Sequence, residues 1–257
     1  MIASLGMYDF GDASPVNDRF WALIRDHLRQ VGQDAPDALT RGDAAYWPAW
    51  ESPDLVLSQT CGYPYRTRLH DRVTYVATPD FGIEGCPPGH YRSLFIARSG
   101  DPRRTLAELD GAAFAFNDDL SQSGWAAPQV HAHRLGLTLR PVLRSGGHRL
   151  SALAVADARA DLAAVDAVTW QLMLRNDPDL GASLKVVGHT DPTPGLPYIA
   201  AMGVDATTVL TALQSALAVL PAADRETLGL CGFVRIAAPA YLAVPNPPSP
   251  AQYGLHT

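Results

Sequence analysis

Of the 20 Lys and Arg residues in this chain, only Lys185 is a lysine. Schiff-base, pyridoxal-phosphate and P-loop chemistries therefore have a single candidate residue. It lies in the apolar run Leu184 to Gly188 without a GxxxxGK pattern around it, so none of the three is supported. Cysteine is nearly as scarce. Cys61, Cys86 and Cys231 are too few for a disulfide scaffold and lack the CxxC spacing that zinc or dithiol redox work requires. One bridge is open to them: Cys61 with Cys86 would close a loop of roughly 25 residues and stabilise the chain by about 3 kcal/mol. Cys231, in Leu230-Cys-Gly-Phe-Val, reads as a small buried apolar residue. No basic cluster exists beyond pairs such as Arg103-Arg104, and the net charge is −6, which excludes a nucleic-acid footprint. No apolar run approaches the length of a membrane span. No metal-ligand spacing or cofactor fingerprint appears, so neither a metal nor a cofactor is expected. The segment Met1 to Tyr8 has no basic region, h-region or cleavage site and is not a signal peptide. As written the chain is cytoplasmic, and it is periplasmic if an export signal lies outside this sequence.

What is present is a well-supplied core, with 47% hydrophobic residues. Short apolar runs at Ile2–Met7, Leu55–Ser58, Val73–Ala77, Leu94–Ala97, Ala112–Phe116, Leu137–Val142, Leu184–Val187 and Tyr198–Met202 read as buried strands. Amphipathic segments lie between them. Asn17 can cap a helix carrying Phe20, Trp21, Ile24, Leu28 and Val31 on one face, with Gly32 as its stop. Ser123 to Leu135, Leu150 to Ala158, Asp166 to Leu174 and Asp205 to Leu220 also support helices. The alternation predicts an α/β fold with mainly parallel sheets.

Two stretches rich in Gly and Pro break this periodicity, one around residues 82–97 and one around 188–198. Read as crossings, they divide the chain into a lobe of residues 1–89 and 191–257 and an inserted lobe of residues 90–190. A ligand cleft would then run between the lobes. The Pro-rich tail from Pro245 to Pro250 is expected to wrap the surface.

The segment from Phe116 to Trp125, with Asn117, Ser121, Ser123 and Gly124, reads as a strand end, a hydroxyl-rich turn and the first turn of a helix. Such a turn has N–H groups without intrahelical partners and attracts anions. Gly124 lets the backbone approach a ligand. The plain alternative is that Ser121 or Ser123 is an ordinary N-cap. Ser145-Gly-Gly-His148 repeats the logic, with His148 as donor. Asp166 ends a short strand and starts a helix, either as an N-cap or as a ligand contact. Thr190 offers a hydroxyl on a Pro-stiffened turn. Strand β-ends also place Thr60 and Cys61 in Ser58-Gln-Thr-Cys-Gly-Tyr-Pro-Tyr65, where open α/β sheets bind ligands. A Cys61 nucleophile with His70, His148 or His189 as base is conceivable, but nothing local identifies the partner.

Ser58 to Tyr65, Gly85-Cys86 before Tyr91-Arg-Ser93, Asn117 through Gly124, Ser145 to His148, Ala160 to Asp166 and Pro194-Gly-Leu-Pro197 together resemble the phosphate/phosphonate-type substrate-binding proteins of ABC transporters. The resemblance runs from about residue 2 to 203. It implies the two-lobed type-2 periplasmic binding-protein fold, a non-enzymatic monomer with a small anionic ligand, and permease and ATPase subunits as partners. It also implies that Ser121, Ser123 and Gly124 form the oxyanion cradle, with Asn117 ordering the turn and Tyr91 aimed at the ligand. His148 and Asp166 would be the inserted lobe's other contacts, faced by Thr60 and Tyr8. The chain departs from the pattern at Gln122 and Gly147, each of which removes a hydroxyl. A carboxylate at Asp166 facing a full anion is costly, which implies a ligand carrying a P–OH or an ammonium group, and disfavours sulfate. The competing functions are a cytoplasmic enzyme on the same fold, of the menaquinone- or thiamine-precursor type, and a sensory ligand-binding domain. No catalytic residues are assigned.

Overall fold

Apolar runs that are buried on both faces become the strands of this protein. A computed structural model describes residues 1–254. In chain order the strands are β1 (Ile2–Ser4), β2 (Leu55–Gln59), β3 (Val73–Asp80), β4 (His90–Tyr91), β5 (Ser93–Arg98) and β6 (Ala113–Phe116). β7 (Arg140–Arg144), β8 (Leu162–Asp166), β9 (Leu184–His189), β10 (Thr193–Pro194), β11 (Tyr198–Ala201) and β12 (Gly232–Val234) follow. The chain divides into two compact units. Unit 1 holds Met1–His90 and Pro194–Leu242, and unit 2 holds Tyr91–Thr193 and the tail from Ala243.

Unit 1 is built on a sheet of order β1-β2-β11-β3-β12. β1 and β2 are parallel, whereas β11 runs antiparallel to both β2 and β3, and β12 antiparallel to β3. Helices Ala13–Gln30 and Ala206–Val219 supply Phe20, Trp21, Ile24, Leu28, Val209 and Leu213 to the core over Leu57 and Val76. Unit 2 has the sheet order β7-β6-β8-β5-β9, with β6 parallel to β7 and β8, and β5 antiparallel to β8 and β9. Its core gathers Ile96, Ala115, Val155, Val165, Trp170 and Met173.

Both sheets are therefore mixed, not mainly parallel. The cause is the same in each. β5 and β11 are the sheet strands that immediately follow a passage of the chain from one unit to the other, so neither is fed through a strand–helix–strand crossover of its own sheet. Only such crossovers impose parallel pairing.

Local readings also shift. The first helix starts at Ala13, one turn before Asn17, with Pro15 accommodated in the first turn. Asn17 is buried and its Nδ2 donates to Asp9 Oδ1 at 3.2 Å, so it ties the helix to the N-terminal segment instead of capping it. Val31 lies past the helix end and is 65% exposed, because Gly32 turns the chain at φ +79°. Cys231 is exposed, and all three cysteines are thiols, so no Cys61–Cys86 bridge is formed. The strand expected at Leu137–Val142 begins at Arg140, and the short helices Pro178–Ser183 and Ala222–Leu228 had no counterpart in the sequence reading. Among the described residues no single helix is long and apolar enough to cross a membrane.

The tail from Ala243 belongs to unit 2, not with Pro194–Leu242 of unit 1. Trp125, fully buried, donates its Nε1–H to the Pro248 carbonyl at 3.2 Å and packs on Phe116 and Tyr253 with centroid separations of 4.8 and 5.7 Å. A buried indole needs such an acceptor. Trp125→Ala is expected to lower unfolding stability by about 3–5 kcal/mol, read as a reduced urea midpoint, through lost packing and an unanchored tail.

Candidate functional site

The carboxyl end of β8 meets several of the unit 2 groups that the sequence singles out. Antiparallel pairing places Ser93 of β5 opposite Asp166, the last residue of β8. β6, parallel to β8, delivers Asn117 just beyond its end at the same sheet edge. Open α/β sheets bind ligands at this kind of edge.

After Asn117 the chain makes the hydroxyl-rich turn. Ser121 is the N-cap, its side chain accepting from Gly124 N at 3.0 Å, as the plain reading of this serine proposes. The first turn, Gln122–Ala126, is a π-turn, in which Ser121 O accepts from both Trp125 N at 3.2 Å and Ala126 N at 2.9 Å. Pro128, in the following α segment Ala127–Arg134, has no N–H to donate to the carbonyl four residues back, which favours the wider turn. Gly124 admits no side chain: a Cβ there would fall 1.8 Å from Asn117 Oδ1 and 3.2 Å from His148 Cε1. The backbone of the turn thus lies directly against Asn117 and His148.

Ser123 Oγ and His148 Nε2 are 2.9 Å apart, and the same Nε2 is 3.4 Å from Asp166 Oδ2. Asp166 caps helix Ala167–Asn176, accepting from Thr169 N at 2.9 Å on Oδ1 and from Thr169 Oγ1 at 2.6 Å on Oδ2. Both carboxylate oxygens are thereby engaged within the protein, so neither depends on a ligand for a hydrogen bond. A carboxylate opposite Nε2 requires that nitrogen to carry a proton. Ser123 Oγ then accepts from His148, and the serine's own proton is directed elsewhere.

The sequence reading did not single out two supporting residues. Ser93 Oγ donates to Ser123 O at 2.8 Å and fixes the turn to β5. Thr169 bonds Asp166 twice. The Asp166-x-x-Thr169 spacing was a readable capping signal, and Ser93 was a lone hydroxyl at the head of an apolar strand. Thr190 serves β5 directly, its Oγ1 accepting from Ser93 N at 3.0 Å and its N–H donating to Ser93 O at 2.9 Å. Gln122, 1% exposed, donates to Thr193 Oγ1 at 3.4 Å. Tyr91 is buried two residues before Ser93. Tyr8 and Thr60 belong to unit 1, where Tyr8 stacks edge-on against Phe81 at 5.2 Å and Thr60 is fully buried, its N–H donating to Pro197 O at 3.0 Å. Thr60 Oγ1 has no hydrogen-bond partner among the described residues.

Serine, histidine and aspartate together invite comparison with a nucleophilic triad. In a triad the hydroxyl and the carboxylate engage opposite ring nitrogens, so that a proton can pass from one to the other side of the ring. Here both engage Nε2, and no such relay runs through His148. Among the described residues no group of three or more His, Cys, Asp and Glu is arranged to hold a metal ion.

Burial pushes the His148 imidazole below its ordinary range, against the opposing pull of the Asp166 carboxylate and the Ala164 carbonyl. The unfolded chain takes up this proton near pH 6.5, the folded one only at lower pH, so below about 6.5 the unfolded state binds more protons and stability falls. Urea midpoints at pH 8 and pH 5.5 are expected to differ more for the wild type than for His148→Asn, which removes the titration.

A family described as "ABC transporter, phosphonate, periplasmic substrate-binding protein" matches residues 54–240. No curated protein matches the sequence. Among solved structures, a binding protein component of an ABC phosphonate transporter from Pseudomonas aeruginosa has a TM-score of 0.68 at 16% identity, covering 93% of this chain and 83% of that one. PhnD1 from Prochlorococcus marinus, in complex with methylphosphonate, has a TM-score of 0.65 at 16% identity, with 93% and 94% covered. XAC2383 from Xanthomonas citri, bound to ATP, has a TM-score of 0.67 at 17% identity, with 93% and 92% covered. These likenesses show the type-2 periplasmic binding-protein fold, and the family match spans well over half of the sequence. The chain belongs to the phosphonate-type periplasmic substrate-binding proteins of ABC transporters.

Proposed function

We propose that this protein is a non-catalytic monomer that captures a small phosphonate-type oxyanion on the Ser121–Gly124 turn of unit 2 for a permease and its ATPase. The observation that carries the reading is the shared Nε2 of His148. With Asp166 beside the ring and Ser123 Oγ accepting from it at 2.9 Å, the Ser123 hydroxyl keeps its own proton to donate to an anion on the turn. The first-turn N–H groups of the helix add donors with a partial positive charge. Asn117, Ser121 and Gly124 shape the turn, while Ser93, Asp166 and Thr169 position it. Tyr91 and Thr190 belong to the same unit, and Tyr8 and Thr60 are unit 1's candidates for ligand contact.

A lone carboxylate in this place would repel an oxyanion. Asp166 is instead held by two donors from Thr169 and lies 3.4 Å from His148 Nε2, where its charge favours a proton on that nitrogen. The absence of a relay through His148 weighs against the enzyme alternative.

Isothermal titration with methylphosphonate, phosphate and sulfate tests the reading. Methylphosphonate is expected to bind, and Ser123→Ala to weaken it by about 1–3 kcal/mol with unchanged circular dichroism, since a charge-assisted hydrogen bond is lost. Native mass spectrometry of gently purified protein gives a second view of the bound species. Equal affinity of Ser123→Ala and wild type would remove the cradle assignment, and sulfate binding without phosphonate binding would remove the ligand class.

A further inference from the structure

The chain leaves unit 1 after His90 and re-enters it at Pro194. On the unit 1 side of these passages stand Gly89 and Gly195, joined by Gly195 N donating to Gly89 O at 2.8 Å. Neither position tolerates a side chain. Gly89 has φ +71°, and a Cβ there would come 2.2 Å from Val234 Cγ2, while a Cβ on Gly195 would come 2.8 Å from Gly89 O. The segment that crowds Gly89 continues from β12 into helix Ala238–Leu242, which carries Tyr241, 1% exposed.

Tyr241 OH donates to Gly195 O at 2.9 Å. That bond uses its one proton, and the direction of a whole chain of hydrogen bonds follows. Thr78 Oγ1, 2.6 Å from Tyr241 OH, must donate to it. Tyr75 OH, 2.8 Å from Thr78 Oγ1, must then donate to Thr78, and it accepts in turn from Ile236 N at 2.9 Å. Every hydroxyl in the series gives one proton and accepts one, and all protons point toward Gly195. A fully satisfied buried network of this kind rigidifies what it touches. Tyr65 and Tyr75 enclose the Tyr241 ring at centroid distances of 5.0 and 6.0 Å. Burial raises the phenol well above its ordinary value, so it stays a donor throughout the physiological range.

We propose that Tyr241 is a positioning residue for ligand capture: with Thr78 and Tyr75 it clamps the backbone of both passages, Gly195 directly and Gly89 through the Gly195 N–H. It touches no ligand group named above. Its effect is on the fraction of molecules whose passages hold the binding-competent backbone, which scales the apparent affinity. The affinity part rests on the phosphonate-binding reading, whereas the backbone part does not.

Hydrogen exchange on the full chain tests the clamp. In Tyr241→Phe the Gly195 amide is expected to exchange about fivefold to tenfold faster, while the amides of β8 keep their wild-type rates. Methylphosphonate Kd is expected to rise by a similar factor. Tyr75→Phe removes the far end of the series, so it should accelerate the Ile236 amide and leave Gly195 within about twofold of wild type. If Tyr241→Phe does not fold, Thr78→Val carries the same test, since it removes the donor that orients the phenol. Unchanged Gly195 exchange in a folded Tyr241→Phe or Thr78→Val protein overturns the proposal. A wild type that fails to bind methylphosphonate overturns the ligand reading alone, and the exchange rates still decide the clamp.

Discussion

One carboxylate organises the polar end of unit 2. Asp166 is at once the last residue of β8, the cap of helix Ala167–Asn176 and the neighbour of His148 Nε2. The capping role fixes the carboxylate, because Thr169 holds both oxygens. The fixed carboxylate favours a proton on His148 Nε2, and that proton makes Ser123 Oγ an acceptor there, with its own proton left to donate. None of these steps needs a flexible side chain, which is why three residues from three separate elements can present one hydroxyl as a donor. Ser93 and Thr190 extend the same logic to the backbone, since the register that sets Ser93 opposite Asp166 also lets its hydroxyl hold the Ser123 carbonyl.

The opposite end of β8 shows what a closed charge network looks like. Asp161 precedes the strand and meets Arg98 and Arg103 at 3.2 and 3.3 Å, and Arg103 also clasps Asp101 at 2.7 Å. The side-chain hydrogen bonds of Arg103 are the main reason that the Asp101 carboxyl lies down at about 2. There each charge finds its counter-charge within the protein. At the Asp166 end the carboxylate is matched by neutral donors, and the hydroxyl and helix-turn N–H groups beyond it are oriented outward from that match.

Much of this was legible in the residues. Buried apolar runs mark strands independently of their partners, so β2, β5, β6, β8 and β9 fall close to where periodicity places them. The Ser121 cap follows from local chemistry and from the order of the turn, whereas glycine at 124 is demanded by the side chains of Asn117 and His148, which only the fold brings there. Pairing direction was not legible, because it depends on how the chain enters a sheet. For the same reason β11 and β5 turn two parallel-looking sheets into mixed ones. Asn17 has the side chain of a cap, but the turn from Phe10 to Ser14 starts the helix earlier and the Asn17 amide goes to Asp9. Val31 and Cys231 have core-like side chains and lie in or beside turns, where backbone geometry and not hydrophobicity decides exposure. Asp166 is the instructive case: a carboxylate between a strand and a helix reads equally as a cap or a ligand contact, and the structure shows the cap, with Thr169, three residues on, as its donor.

The donor set bears on release as well as capture. The groups proposed for the cradle are hydroxyls and backbone N–H groups, with the His148 N–H engaged inside the protein and no guanidinium or ammonium among them. A permanent cation buried against a phosphonate would form a strong charge-assisted pair, and separating that pair leaves a buried charge uncompensated. Oriented neutral dipoles leave no such charge behind. Their strength comes from pre-organisation by Asp166, Ser93 and the helix end, which is established during folding rather than at binding. A protein that must surrender its ligand to a partner is served by this arrangement, since the interaction can be strong in place and still be undone without stranding a buried ion.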